Sequence, residues 1–128
     1  MSAGYSNKSL VEKLGFKPGD RIYVETTPDW YAAFAQHNGL EEVADIAATH
    51  AHLFFNSRAE LSNFLKENNL NDIEKSLWVS WPKKASGVKT DLTEQTFRDL
   101  ILPTGWVDVK VAAIDDIWSG LKFLRRKS

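Results

Sequence analysis

The run Leu77–Trp81 (LWVSW) narrows the fold more than any other stretch of the chain. It is nearly continuous in large apolar side chains, whereas a strand with one wet face would alternate apolar with polar residues. Such a run is expected of an inner strand covered on both faces, and that requires helices on both sides of a sheet. The residues after it fit this reading. Pro82, Lys83 and Lys84 open a polar loop, and TDLTE (Thr90 to Glu94) reads as a helix start, with Asp91 and Glu94 in a capping-box pattern.

The remaining chain supplies the other elements. Leu10, Val11 and Leu14 give a short amphipathic helix over Lys8 to Leu14, with Ser6 or Asn7 as N-cap and Gly15 as stop. KPGD (Lys17 to Asp20) is a turn, and RIYVE (Arg21 to Glu25) is a strand. A helix is expected from about Asp29 to His37, with Trp30, Tyr31 and Phe34 facing inward. AHLFF (Ala51 to Phe55) is a strand, and Leu61, Phe64 and Leu65 mark a helix over Ala59 to Asn68. Any strand at 42–46 must be a short edge piece or absent, because the few residues before Ala51 leave no room for an ordinary crossover helix. Phe97, Leu100 and Ile101 form the buried stripe of a helix ending before Pro103 and Gly105. Trp106 to Ile114 alternates as a strand, and DDIWSG links it to a last strand, Leu121 to Arg125, in an antiparallel hairpin.

Composition excludes whole classes of function. The 128 residues suit one domain, residues 1–128, large enough to bury a core without metal or disulfide staples. With no cysteine, thiolate nucleophiles, disulfides and cysteine-ligated metals are ruled out. No run reaches the ~20 apolar residues of a membrane span and the first residues lack a signal-peptide core, so a cytoplasmic location away from membranes is expected. Net charge is −1, so no general field draws nucleic acid to the molecule. Residues 77–128 nevertheless hold 9 Lys and Arg against 6 Asp and Glu, and any anion-attracting surface belongs there.

Within that half, the loop after LWVSW is the first candidate site. In open α/β sheets ligands bind beyond the carboxyl ends of the strands, where a following helix N-terminus adds positive potential. Trp81, Lys83, Lys84 and Ser86 sit at such an end, with Asp91 at the next helix, and suit a phosphate, a carboxylate or an acidic partner surface. The plain alternative is a turn shaped by Pro82 and Gly87, with solvated lysines. Trp118, Ser119 and Lys122 are the second candidate, as an interaction surface beside Asp115 and Asp116; alternatively Trp118 folds back as a lid on the core. His50 and His52 share one face of a strand, an acceptable start for a metal site, but no third ligand is identifiable and no metal is expected. No G-x-S-x-G elbow surrounds Ser57, Ser80, Ser86 or Ser119, and a Ser80–Lys83 pair is only a weak nucleophile motif. The basic ending LKFLRRKS reads as a device that keeps an edge strand soluble.

Taken together, KSLVEKLGFKPGDRIYV, LWVSWPKKASGVKTDLTE and VDVKVAAIDDIWSGLKFLRR resemble a bacterial family of small uncharacterised proteins, a domain of unknown function with a shortened class I methyltransferase fold. The resemblance implies a small three-layer Rossmann-like α/β sheet, mostly parallel, with a C-terminal antiparallel hairpin. It implies no activity. Methyltransferases of that fold carry a Gly-rich turn after the first strand, which lets the backbone approach S-adenosylmethionine. Here that position reads ETTPDWY (Glu25 to Tyr31), without glycine. The expectation is therefore a binding domain for a protein partner, a second copy included, or for a small anionic ligand, with no cofactor. A divergent methyltransferase, or another small enzyme acting on an acidic substrate, is the alternative.

Overall fold

The computed structural model describes residues 9–126. Among them six strands form one sheet in the order β2-β1-β3-β4-β6-β5, where β1 is Arg21–Glu25, β2 Glu41–Val43, β3 His50–Phe54, β4 Ser76–Pro82, β5 Trp106–Ala113 and β6 Trp118–Arg125. Strands β2, β1, β3 and β4 pair in parallel, and β6 runs antiparallel to both β4 and β5. Among the described residues four α-helices complete the fold: α1 (Leu10–Leu14), α2 (Tyr31–His37), α3 (Arg58–Glu67) and α4 (Glu94–Ile101). The mostly parallel α/β sheet with a closing antiparallel hairpin is the architecture expected from the sequence.

All seven residues of β4 are buried, which is why LWVSW carries no polar face. Its side chains alternate between two cores. Leu77, Val79 and Trp81 join Leu61 and Phe64 of α3 and Phe97 and Ile101 of α4. On the opposite face Trp78 joins Leu14 of α1 and Tyr31 and Ala35 of α2. The Trp78 indole N–H donates to the Leu14 carbonyl at 2.9 Å, so the buried ring leaves no donor unmet. Gly120 is required next to it: a Cβ there would lie 2.8 Å from the Ile114 side chain and 3.1 Å from the Trp78 ring.

Several boundaries differ from the sequence-based expectation, each for a local reason. Ser6 and Asn7 lie outside the described residues; α1 is capped by Ser9, whose hydroxyl accepts from the Glu12 N–H, and Gly15 closes it at φ 80°. Helix α2 begins at Tyr31, with no side-chain cap at Trp30. The doubtful strand is a three-residue edge piece. Because β2 is so short, residues 44–49 suffice to return the chain to β3, with Ile46 packing against the α3-side core instead of a crossover helix. The last strand starts at Trp118, since the Asp115 carboxylate accepts the N–H groups of Ile117 and Trp118 and closes the turn early.

Asp91 requires a correction. The N-cap of α4 is Thr93, paired reciprocally with Thr96, so Asp91 and Glu94 do not form its capping box. Leu92 is drawn into the core at 4% exposure, and this places the first helical turn two residues later. Asp91 instead accepts the Arg58 N–H at 2.8 Å, at the start of α3. Among the described residues no helix is long and apolar enough to cross a membrane.

Candidate functional site

Strand β4 ends at Pro82 beside β6, where Trp81 pairs with Ser119 and Pro82 with Trp118. The loop that follows is held by its own backbone and short polar side chains. The Lys83 N–H donates to the Ile117 carbonyl at 2.7 Å. Lys84–Ser86 form one 3-10 turn, in which the Ser86 hydroxyl donates to the Lys83 carbonyl and accepts from the Val88 N–H. Farther on, the Thr90 hydroxyl donates to the Asn56 carbonyl, and Asp91 takes the Arg58 N–H. These two bonds tie the loop after β4 to the loop after β3.

The result is an open cavity of about 530 Å³ between the carboxyl end of β4 and the first turn of α4, a size within the usual range for small-molecule sites. Trp81, buried and packed 5.1 Å from the Phe97 ring, and Leu92 give it an apolar floor. Lys83 and Lys84 stand on one side, and Ser119, Thr93 and Gln95 add polar groups. Arg98 completes the wall. Its Nε donates to Asp108 of β5 at 2.8 Å and its Nη2 meets Glu94 at 3.0 Å. The Asp108 hydrogen bond raises the Arg98 pKa, and the same bond holds the Asp108 carboxyl below its ordinary value.

Of the residues singled out in the sequence, Trp81, Lys83, Lys84 and Ser119 come together around this cavity. Ser86 and Asp91 shape the loop that bounds it. Trp118 and Lys122 belong to the opposite face of the sheet. Trp118 packs edge-on against Phe54 at 5.1 Å, as a lid on the core, and Lys122 reaches the Trp78 ring at 5.9 Å, across from Lys110. Burial, with Lys110 nearby, lowers the Lys122 pKa. Sequence reasoning passed over Thr93, Gln95 and Arg98, and took Glu94 only as a capping residue. The available signal was that Glu94 and Arg98, four apart on α4 and flanking the Phe97–Ile101 stripe, border the lysine loop.

A second, smaller cavity of about 260 Å³ lies at the carboxyl ends of β1 and β3, where the strand order reverses direction. Three carboxylates, Glu25, Glu60 and Glu67, line it together with Thr26, Phe55 and Phe64, and no cationic side chain among the described residues does. The Tyr23 hydroxyl donates to Glu25 at 2.8 Å, and burial together with that carboxylate pushes its pKa up to about 12. Thr26 has φ 55°, a left-handed conformation rarely taken by a β-branched residue. On the other face the same strand ends are closed by aromatic rings. Tyr31 is fully buried, and the Trp30 indole donates to Asp115 at 2.9 Å, tying the loop after β1 to the β5–β6 turn.

The histidines are built into the core. His52 is fully buried between the Tyr31 hydroxyl, 2.7 Å from its Nδ1, and Ser80, and burial brings its pKa down to about 3. His50 bridges Ser76 and Asp20, and burial lowers its pKa in spite of the Asp20 carboxylate. The Ser76–His50–Asp20 chain has the side-chain types of a hydrolytic triad, yet Ser76 is 2% exposed and lines neither cavity, so it ties β3 and β4 to the turn before β1. Among the described residues no group of three acids and histidines could hold a metal ion.

The model of a family described as Domain of unknown function (DUF8412) matches residues 53–128. The chain belongs to that family. The matched segment includes β4, the lysine loop and α4, and hence the larger cavity, while β1 and its loop lie outside it. No curated protein matches the sequence. Among solved structures, a protein of the NADB-Rossmann superfamily from Streptococcus agalactiae is similar with a TM-score of 0.62 and 9% identity, over 100% of this chain and 72% of that one. An S-adenosylmethionine-dependent methyltransferase from Aquifex aeolicus is similar at 0.59 and 12% identity, covering 91% and 87%. Magnesium protoporphyrin IX methyltransferase from Synechocystis PCC 6803, with bound S-adenosylhomocysteine, follows at 0.56 and 12%, covering 91% and 78%. At such identities the likeness is one of fold, Rossmann and methyltransferase-like.

Proposed function

We propose that this chain is a binding domain for a small anionic ligand, held in the cavity at the carboxyl end of β4. One observation carries the reading: Lys83, Lys84 and the start of an eight-residue helix border a 530 Å³ space with an apolar floor, at the end of the sheet where such folds bind ligands. The ammonium groups supply charge, Ser119 and Gln95 supply hydrogen bonds, and Trp81 supplies a surface for the ligand's carbon skeleton.

The test is thermal denaturation with inorganic phosphate and small carboxylates. A ligand present at about 100 times its Kd stabilises by ~2.7 kcal/mol and raises the Tm. The double substitution Lys83→Ala, Lys84→Ala should remove that shift and leave the unliganded Tm nearly unchanged, because both side chains are at least partly solvated. A lower Tm without ligand would make the loop structural, and no shift with any anion would end the reading.

A second reading, a divergent S-adenosylmethionine-dependent methyltransferase, is favoured by the Thr26 turn. Its φ of 55° gives the chain after β1 a backbone shape that normally calls for glycine, beside the 260 Å³ cavity at the switch point. Titration calorimetry with S-adenosylmethionine and S-adenosylhomocysteine separates the two. Absence of heat at millimolar ligand rejects the methyltransferase.

A further inference from the structure

The cavity at the carboxyl end of β4 contains a carboxylate of its own, and this restricts what can bind there. Glu94 opens α4 and pairs with Arg98, four residues further along the helix, at 3.0 Å, with both side chains partly solvent-exposed. Arg98 does not depend on Glu94 for its position. Asp108 on β5 holds the guanidinium from another element, through Nε at 2.8 Å. If Glu94 swings away, the guanidinium stays aimed at the cavity and offers an unoccupied donor. The exchange is cheap, since an exposed pair spaced i,i+4 stabilises by only about 0.3–0.5 kcal/mol.

Resting on the anion-binding reading, we propose that the ligand carries two separated anionic groups, one met by Lys83 and Lys84 and the other by Arg98 in place of Glu94. A compact monoanion satisfies the lysines and leaves the Glu94–Arg98 pair intact. A dianion of dicarboxylate type spans the apolar floor of Trp81 and Leu92 and displaces Glu94, gaining the planar donor edge that arginine offers a carboxylate. Glu94 is thus a tethered competitor that sets specificity, and Asp108 is the residue that positions Arg98.

Titrations followed by 15N NMR with acetate and with glutarate test this in the wild type, Glu94→Gln and Arg98→Lys, with the unliganded Tm of each as the folding control. Glutarate should bind more tightly than acetate. The ratio of the two affinities should rise about two-fold in Glu94→Gln, where the competing pair is gone, and fall toward one in Arg98→Lys. In the background of Arg98→Lys, adding Glu94→Gln should no longer change the ratio. If both anions perturb the lysine loop and the ratio is the same in all variants, the two-point site is wrong and the anion site stands. If neither anion perturbs the loop, the anion reading fails and this inference fails with it.

Discussion

Thr26 and His52 show how much single residues constrain this molecule. A threonine at φ 55° stores strain of order 1–3 kcal/mol, and glycine relieves it at a backbone-entropy cost of roughly 0.5–1 kcal/mol. Thr26→Gly should therefore raise stability by about 1 kcal/mol, read as a higher Tm, and an unchanged or lower Tm would mean that the turn relaxes around threonine without strain. His52 makes stability depend on pH. Its folded pKa of about 3 lies below the ordinary value of 6.5, so between those values the unfolded chain binds the extra proton. Stability is full above pH 6.5 and is lost as pH falls, by up to about 1.4 kcal/mol per pH unit for this one group. Urea denaturation between pH 7 and pH 5 should show that slope, and His52→Gln should flatten it even though its stability at pH 7 is lower. The His50 shift has the same direction and adds to the wild-type slope.

At the scale of elements, the junction between β4 and α4 is where local sequence and tertiary packing disagree most. Thr93→Ala removes the hydroxyl that accepts the Thr96 N–H and should cost about 1 kcal/mol by urea denaturation. Asp91→Asn keeps an acceptor for the Arg58 N–H and should cost less. The sequence pointed to Asp91 as the cap, because an acid before an apolar helix looks like a cap whether or not it is one. Which residue caps α4 is decided by Leu92, whose burial belongs to the core rather than to the local pattern. The strands and helices were legible because their apolar periods are long. LWVSW announced a doubly covered strand, and AHLFF and the Phe97–Ile101 stripe supplied its neighbours. Half of the proposed site was legible for a different reason: Trp81, Lys83, Lys84 and Ser119 adjoin the carboxyl end of that strand, and the fold dictates their convergence. Arg98 was not, because its position depends on Asp108 ten residues away on β5, and no local spacing encodes that contact. Trp118 and Lys122 were read with Ser119 as a surface at the hairpin turn, but strand alternation separates them from Ser119 and sends them to the other face, toward Phe54 and Trp78.

For the whole molecule, the sheet divides the work between its ends and faces. The carboxyl end carries two cavities of opposite electrical character, one bordered by Lys83, Lys84 and Arg98 and the other by Glu25, Glu60 and Glu67. The faces are sealed by two separate cores, and the amino end is fastened by the Asp20, His50 and Ser76 contacts. One edge of the sheet is β5, an eight-residue strand that among the described residues pairs with β6 alone. Its pairing with β6 slips between Asp108 and Lys110, leaving Val109 as an extra residue that is 47% exposed. Deleting Val109 would bring the two strands into continuous register and present a flat row of donors and acceptors to the solvent. The expected outcome is a domain that still melts cooperatively but scatters light at concentrations where the wild type stays clear, as copies stack edge upon edge. On that outcome one supernumerary valine would be what stops the sheet from growing at its β5 edge.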